Sequence, residues 1–172
     1  DRKVVKMDLQ RSAKAARKLY QAPPKTQILV PASQTHKQQW LYTTQKPASD
    51  WSQVSFDDAD WKTALGGFGT AGQGVGTEWD TSDIWIRRSF VLKNIPKDGN
   101  LALYTQHDEE AEIYLNGKLV KKLSGYTTSY NFVILPANVV QSLQRGTNNL
   151  AVHCRNTGGK QFIDVGLTLL ID

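Results

Sequence analysis

Residues 108–120 constrain this chain more than any other stretch. Ala111, Ile113 and Leu115 alternate with Glu112 and Tyr114, run into Asn116-Gly117, and the apolar positions resume at Leu119. Asn and Gly both tolerate the positive φ angles of a two-residue turn whose twist matches paired strands, so the pattern predicts a β-hairpin and its register. Gly146-Thr147-Asn148-Asn149 then opens a second alternating segment, Leu150 to Asn156, behind another Gly/Asn turn. Residues 27–30, 39–43, 84–92, 101–105, 132–135 and 163–169 read as further strands, several with period-two alternation. That makes eight or nine strands at the spacing of a sandwich, with a short helix or turn at 137–143. The expected fold class is all-β, a jelly-roll β-sandwich.

Ahead of it, residues 4–20 are rich in helix formers, with Val5, Leu9, Ala13, Ala16 and Tyr20 near helical spacing, and Pro23-Pro24 stops the pattern. The expected organisation is a helical connector over 1–25 and a sandwich over 26–172. A basic helix lying on a membrane surface would need bulky apolar anchors that this segment lacks. No run is long enough to cross a membrane as a helix, and the start at Asp1 without a secretory signal suggests a mature or excised piece.

With 172 residues, 40% hydrophobic, the chain can bury a core. Its net charge of +5 comes from the arm: eight Lys/Arg against Asp1 and Asp8 in the first 25 residues, leaving thirteen basic and fourteen acidic residues in the body. A near-neutral body and an arm poor in aromatics argue against nucleic acid as a partner. One cysteine, Cys154, excludes a disulfide framework and a thiolate metal cluster within the chain.

The segments that could carry chemistry weaken on inspection. Gly67-Phe68-Gly69-Thr70-Ala71-Gly72 spells the dinucleotide fingerprint, but glycines continue through Gly74 and Gly76 where a helix should begin, so a wide surface loop is expected. His153 and Cys154 are neighbours on a strand and face opposite sides, which prevents their pairing as base and nucleophile. His36 and His107 have no partner at ligand spacing. Asp108, Glu109, Glu110 and Glu112 crowd a strand entry without the set separation of a glycosidase pair. Asp57, Asp58 and Asp60 could lend oxygens to calcium, but the loop lacks the Gly and distal Glu of an EF-hand; the alternative is a turn anchored by Phe56 and Trp61. No catalytic residue, metal ligand or cofactor is therefore expected, a structural calcium ion having only those aspartates behind it.

Aromatic rings outside the strands are the remaining candidates, because sugars are held by a flat ring and a few hydrogen bonds. Trp40, Trp61 and Trp85 fall in or beside strands and read as core. Trp79, Tyr126 and Tyr130 fall in polar loops and are expected to be exposed as ligand platforms, with Asn156 at the end of the Leu150 strand as a fourth candidate.

Phe56-Asp57-Asp58-Ala59-Asp60-Trp61-Lys62, Ile84-Trp85-Ile86-Arg87-Arg88-Ser89-Phe90, Glu110 to Gly117, Ser124-Gly125-Tyr126 and Gly146 to Val152 follow one another in an order that resembles the sugar-binding-like jelly-roll domain of family 2 glycoside hydrolases. The resemblance spans about residues 50–156. It implies a galactose-binding-like β-sandwich, a non-catalytic accessory module of a larger carbohydrate-active hydrolase that binds or presents glycan. Its partners would be glycan and an adjacent catalytic domain, and its location secreted, periplasmic or at the cell surface. The alternative is a purely structural domain that buttresses its catalytic neighbour without binding ligand.

Overall fold

The computed structural model describes residues 25–171 except 73, 97, 98 and 109. The helix expected over 4–20 lies outside the described residues. Twelve strands form two six-stranded sheets that pack face to face. The first sheet runs β10 (Asn131–Ile134), β7 (Asn100–Asp108), β12 (Phe162–Ile171), β4 (Phe68–Gly69), β5 (Thr77–Glu78), with β1 (Lys25–Val30) also paired to β12. The second runs β3 (Lys62–Leu65), β2 (Gln39–Thr43), β6 (Asp83–Leu92), β11 (Gly146–Arg155), β8 (Glu110–Leu115), β9 (Lys118–Leu123). A 3₁₀ turn covers Ala137–Ser142.

The hairpin forms about the expected turn, and a β-bulge between Ile113 and Tyr114 shifts the register beyond it so that Ile113 pairs with Lys121. Asn116 and Gly117 take φ of 50° and 83°, and Leu115 pairs with Lys118. The asparagines around it join separate parts of the chain. Asn116 Oδ1 accepts the Asn149 amide at 2.7 Å, while its Nδ2 donates to Ser142 O and Asn148 Oδ1. Asn149 Nδ2 in turn reaches Ser52 O. Asn116 is half-buried with both side-chain atoms bonded, whereas Asn149 is fully buried with its Nδ2 bonded and its Oδ1 not.

Strand alternation fills the space between the sheets. Ile84 and Ile86, Ala111, Ile113 and Leu115, and Leu150, Val152 and Cys154 face Leu101, Leu103, Ile163, Val165, Leu167 and Leu169, with Trp40 and Phe68 among them. A second apolar cluster sits on the outside of the second sheet: Trp51, Trp85 and Ala151, with Phe56, Trp61 and Tyr114 against them. Trp61 and Trp85, both expected in the core, belong to this outer cluster. The segment between β2 and β3 lies over that face and Arg87 pins it there. Its Nε donates to Asp58 Oδ2 at 2.7 Å and its Nη1 to the carbonyls of Gln53 and Trp51. The guanidinium carbon lies 5.1 Å from the Phe56 ring centre. Asp58 is committed to Arg87, and Asp57 Oδ1 accepts the Ala59 amide within the turn.

The glycine-rich stretch is an exposed loop only between β4 and β5, and its two ends are paired into the first sheet. Phe68 is fully buried, β4 pairs with β12, and β5 runs parallel to β4. Gly69 and Gly76 are needed for close approach: a Cβ would collide with the Gln161 carbonyl at the first and the Gly66 carbonyl at the second.

Candidate functional site

Two hollows draw on the loops at one end of the sandwich, where β6 begins and β11 ends. The first is charged. Cross-strand pairing aligns Asp83, Arg155 and Glu110 in one row, and Trp85, His153, Glu112 and Lys122 in the next. The hollow between them holds about 390 Å³ and is lined by Glu110, Glu112, Lys122, Ser124, His153 and Arg155.

Glu112 and Asp83 are each bonded to a neighbour across the strands. Lys122 Nζ lies 2.6 Å from Glu112 Oε1, and the Tyr114 hydroxyl donates to Glu112 Oε2 at 2.8 Å. Those two bonds hold the Glu112 carboxyl below the usual range. Burial, with Glu112 as the added cause, pushes the Tyr114 hydroxyl up to about 12. Burial raises Asp83, but bonds from His153 and Ser82 outweigh it, and the carboxyl ends below its ordinary value. His153 Nε2 is 2.7 Å from Asp83 Oδ1, so that nitrogen carries the proton. Both carboxylates are thus kept ionised. Glycoside hydrolysis needs one carboxyl raised to serve as acid, and this pair does not supply it.

The second hollow, on the outer face of the first sheet, is of another character. It holds about 350 Å³ and is lined by Tyr130, Phe162, Gln34, Gln106, Thr128, Ser129 and Gly74. Tyr130 packs 5.2 Å from Tyr104, whose hydroxyl donates to Gln34 Oε1 at 2.8 Å. Lys37 donates to the Gly74 carbonyl. Aromatic, amide-bearing and hydroxyl-bearing residues around one concave surface suit a neutral polyhydroxylated ligand.

The four expected ligand residues separate. Trp79 is 2% exposed, with its Nε1 donating to Thr81 Oγ1, so its ring plugs the sandwich instead of facing solvent. Apolar packing claims a large ring beside β5 even though its neighbours in sequence are polar. Tyr126 is 73% exposed and bridges to Asp108 at the end of β7. Asn156 shapes a turn, its amide donating to Ser82 O and its Oδ1 accepting from Gly158. Tyr130 lines the second hollow, half-buried, with its hydroxyl on Asp164. Gln34, Gln106 and Phe162 were missed, because alternation marks which side of a strand a residue takes but not which strands lie beside it. Among the described residues, no group of three or more His, Cys, Asp and Glu is placed to hold a metal ion, and no helix is long and apolar enough to cross a membrane.

No protein-family model matches the sequence, and neither does any curated protein. Solved structures do match. A β-glucuronidase of Bifidobacterium dentium complexed with coumarin-3-O-glucuronide aligns with 88% of this chain and 31% of its own, at 13% identity and a TM-score of 0.59. Bacteroides uniformis β-glucuronidase 2 aligns with 84% of this chain and 18% of its own, at 21% identity and a TM-score of 0.58. An uncultured Clostridium β-glucuronidase aligns with 89% and 30%, at 15% identity and a TM-score of 0.54. The chain spans less than a third of the length of these enzymes. At such identities the likeness is one of fold: the sandwich described above has the shape of one part of a larger glycosidase.

Proposed function

We propose that this chain is a non-catalytic accessory domain of a larger glycoside hydrolase and that it contacts glycan at the Tyr130 hollow. The observation that carries the reading is the lining itself, two aromatic residues with two glutamines, a threonine and a serine around one concave surface. The fold shared with parts of β-glucuronidases supports the setting, and the paired, ionised carboxylates of the charged hollow support the absence of catalysis. Affinity electrophoresis against a panel of polysaccharides, followed by calorimetry on any hit, tests the binding half. Retardation by one glycan, weakened about tenfold or more in Phe162→Ala or Gln106→Ala, is the expected result. No retardation by any member of the panel would remove it.

One observation favours the structural alternative. Ile134, Ala102, Thr168 and Ile28 form a single cross-strand row on the outer face of the first sheet, and Phe132 lies beside it. Ile134, Ile28 and Phe132 are 62%, 64% and 52% exposed. A face of that kind suits contact with a neighbouring domain. Slower amide exchange in β1 and β10 within the parent enzyme than in this chain alone would support a buttress; equal exchange would count against it.

A further inference from the structure

Asp164 is 1% exposed, on the outer face of β12 between the positions where β1 and β4 pair with that strand. Its two oxygens are treated very differently. Oδ2 accepts both the Ser33 amide at 2.6 Å and the Tyr130 hydroxyl at 2.7 Å. Oδ1 has no hydrogen-bond partner among the described residues, and neither has Ser33 Oγ, which belongs to the residue bonded to Oδ2. An ionised carboxylate is an acceptor at both oxygens, so burying it with one oxygen bare leaves charge without compensation. A carboxylic acid is asymmetric and uncharged: its carbonyl oxygen takes the donors, and a bare hydroxyl oxygen costs one neutral polar group instead of a buried charge.

We propose that Asp164 is a positioning residue for the Tyr130 hollow and works as a neutral carboxylic acid, with Oδ2 the carbonyl that takes both donors and Oδ1 the hydroxyl. The functional consequence rests on the glycan reading above; the protonation state does not. One oxygen holds two walls of the hollow, Tyr130 directly and Gln34 through its neighbour Ser33. The groups facing the carboxyl are Lys37 and Arg88, which favour its ionised form, and Tyr130, with Tyr104 behind it. Lys37 is bonded to the Gly74 carbonyl, and Arg88 to Pro31 O and Gln38 Oε1. Burial outweighs the bonds from Tyr130 and Ser33 and the charge of Lys37, and the carboxyl lies above its ordinary value. For an acid raised in the folded state, the native form holds the proton longer than the unfolded one. Stability from this group is therefore greatest on the acid side and falls as pH rises from the unfolded value of about 3.9 through the folded one.

The test is a carboxyl ¹³C titration of Asp164 with thermal melts of two variants, all without ligand. Asp164 should keep its proton at pH values where an ordinary aspartate has already lost it. Asp164→Asn presents an N–H where the acid has its O–H, and should melt at or above the wild type at neutral pH without the fall on rising pH. Asp164→Ala strands Tyr130 and Ser33, and should melt about 5 °C lower or more. A resonance that titrates at or below the ordinary value, or an Asn variant as damaged as the Ala variant, would overturn the proposal. A raised titration with no glycan bound would sink the glycan reading alone, and glycan binding with an ordinary titration would sink this one alone.

Discussion

The His153 imidazole lies flat on the Trp85 indole, ring centres 4.6 Å apart and planes 2° from parallel, with Nε2 2.7 Å from Asp83 Oδ1. The two rings are a cross-strand pair, so the register of β6 and β11 makes the stack and the stack presents the imidazole to the carboxylates beside it. Asp83 and Glu112 both lie below their unfolded values. Their contribution to stability is present above about pH 4 and is lost as pH falls through the folded values. Acid unfolding followed by circular dichroism should therefore show a drop in stability on that side. The drop should be shallower in Asp83→Asn and in Glu112→Gln, and an unchanged slope in both would show that the pairing does not contribute.

Arg87 is the other group whose loss should be felt widely. It is 2% exposed and joins β6 to the segment carrying Trp51, Phe56, Asp58 and Trp61. Arg87→Ala leaves Asp58 and two carbonyls without their donor and opens space beneath Phe56. A loss of about 3 kcal/mol is expected in urea denaturation, as for breaking a buried pair. Red-shifted tryptophan emission should accompany it as Trp51 and Trp61 gain water. Asp58→Asn, which keeps an oxygen near Nε, should cost less than half as much.

The residues that could be read in advance are those whose neighbours in sequence are also their neighbours in space. Asn116-Gly117 specified its own turn, and Leu150, Val152 and Cys154 showed their inward face, because both depend on local backbone geometry. The strand at 62–65 and the pairs 68–69 and 77–78 were illegible. They are too short for alternation to register, and their pairing partners lie elsewhere in the chain. Arg87 and Arg88 illustrate the same limit. Alternation puts them on opposite faces, but only the folded chain brings Asp58 to one and the Pro31 carbonyl to the other. Of the candidate hollow, Tyr130 was legible as a loop aromatic, while Gln34, Gln106 and Phe162 come from three separate strands or connections.

Trp79 and Tyr126 were expected to behave alike and should behave oppositely. Trp79→Ala removes a ring from the core and the bond to Thr81, so a loss of about 3 to 5 kcal/mol is expected. Tyr126→Ala trims a side chain 73% exposed and should change stability by no more than about 0.5 kcal/mol. Parallel denaturation curves would separate them, and a large loss in Tyr126→Ala would mean that its ring is a structural plug.

Gly66 supplies a test of the glycine stretch at a single atom. It is buried, and an added Cβ would sit on Ser33 Oγ and within 3 Å of the Trp40 indole at 2.8 and 2.9 Å. Ser33 could rotate away, but Trp40 is 1% exposed and packed on all sides, so the indole cannot yield cheaply. Gly66→Ala should cost about 1 to 3 kcal/mol by overpacking. The strain would fall on the segment that bonds Asp164, so the variant should also move the Asp164 titration. Gly72→Ala, where the Cβ meets nothing nearer than the Thr70 carbonyl at 3.8 Å, should be neutral. If both substitutions are neutral, the connection before β4 is looser than its packing indicates, and Gly66 serves no steric purpose there.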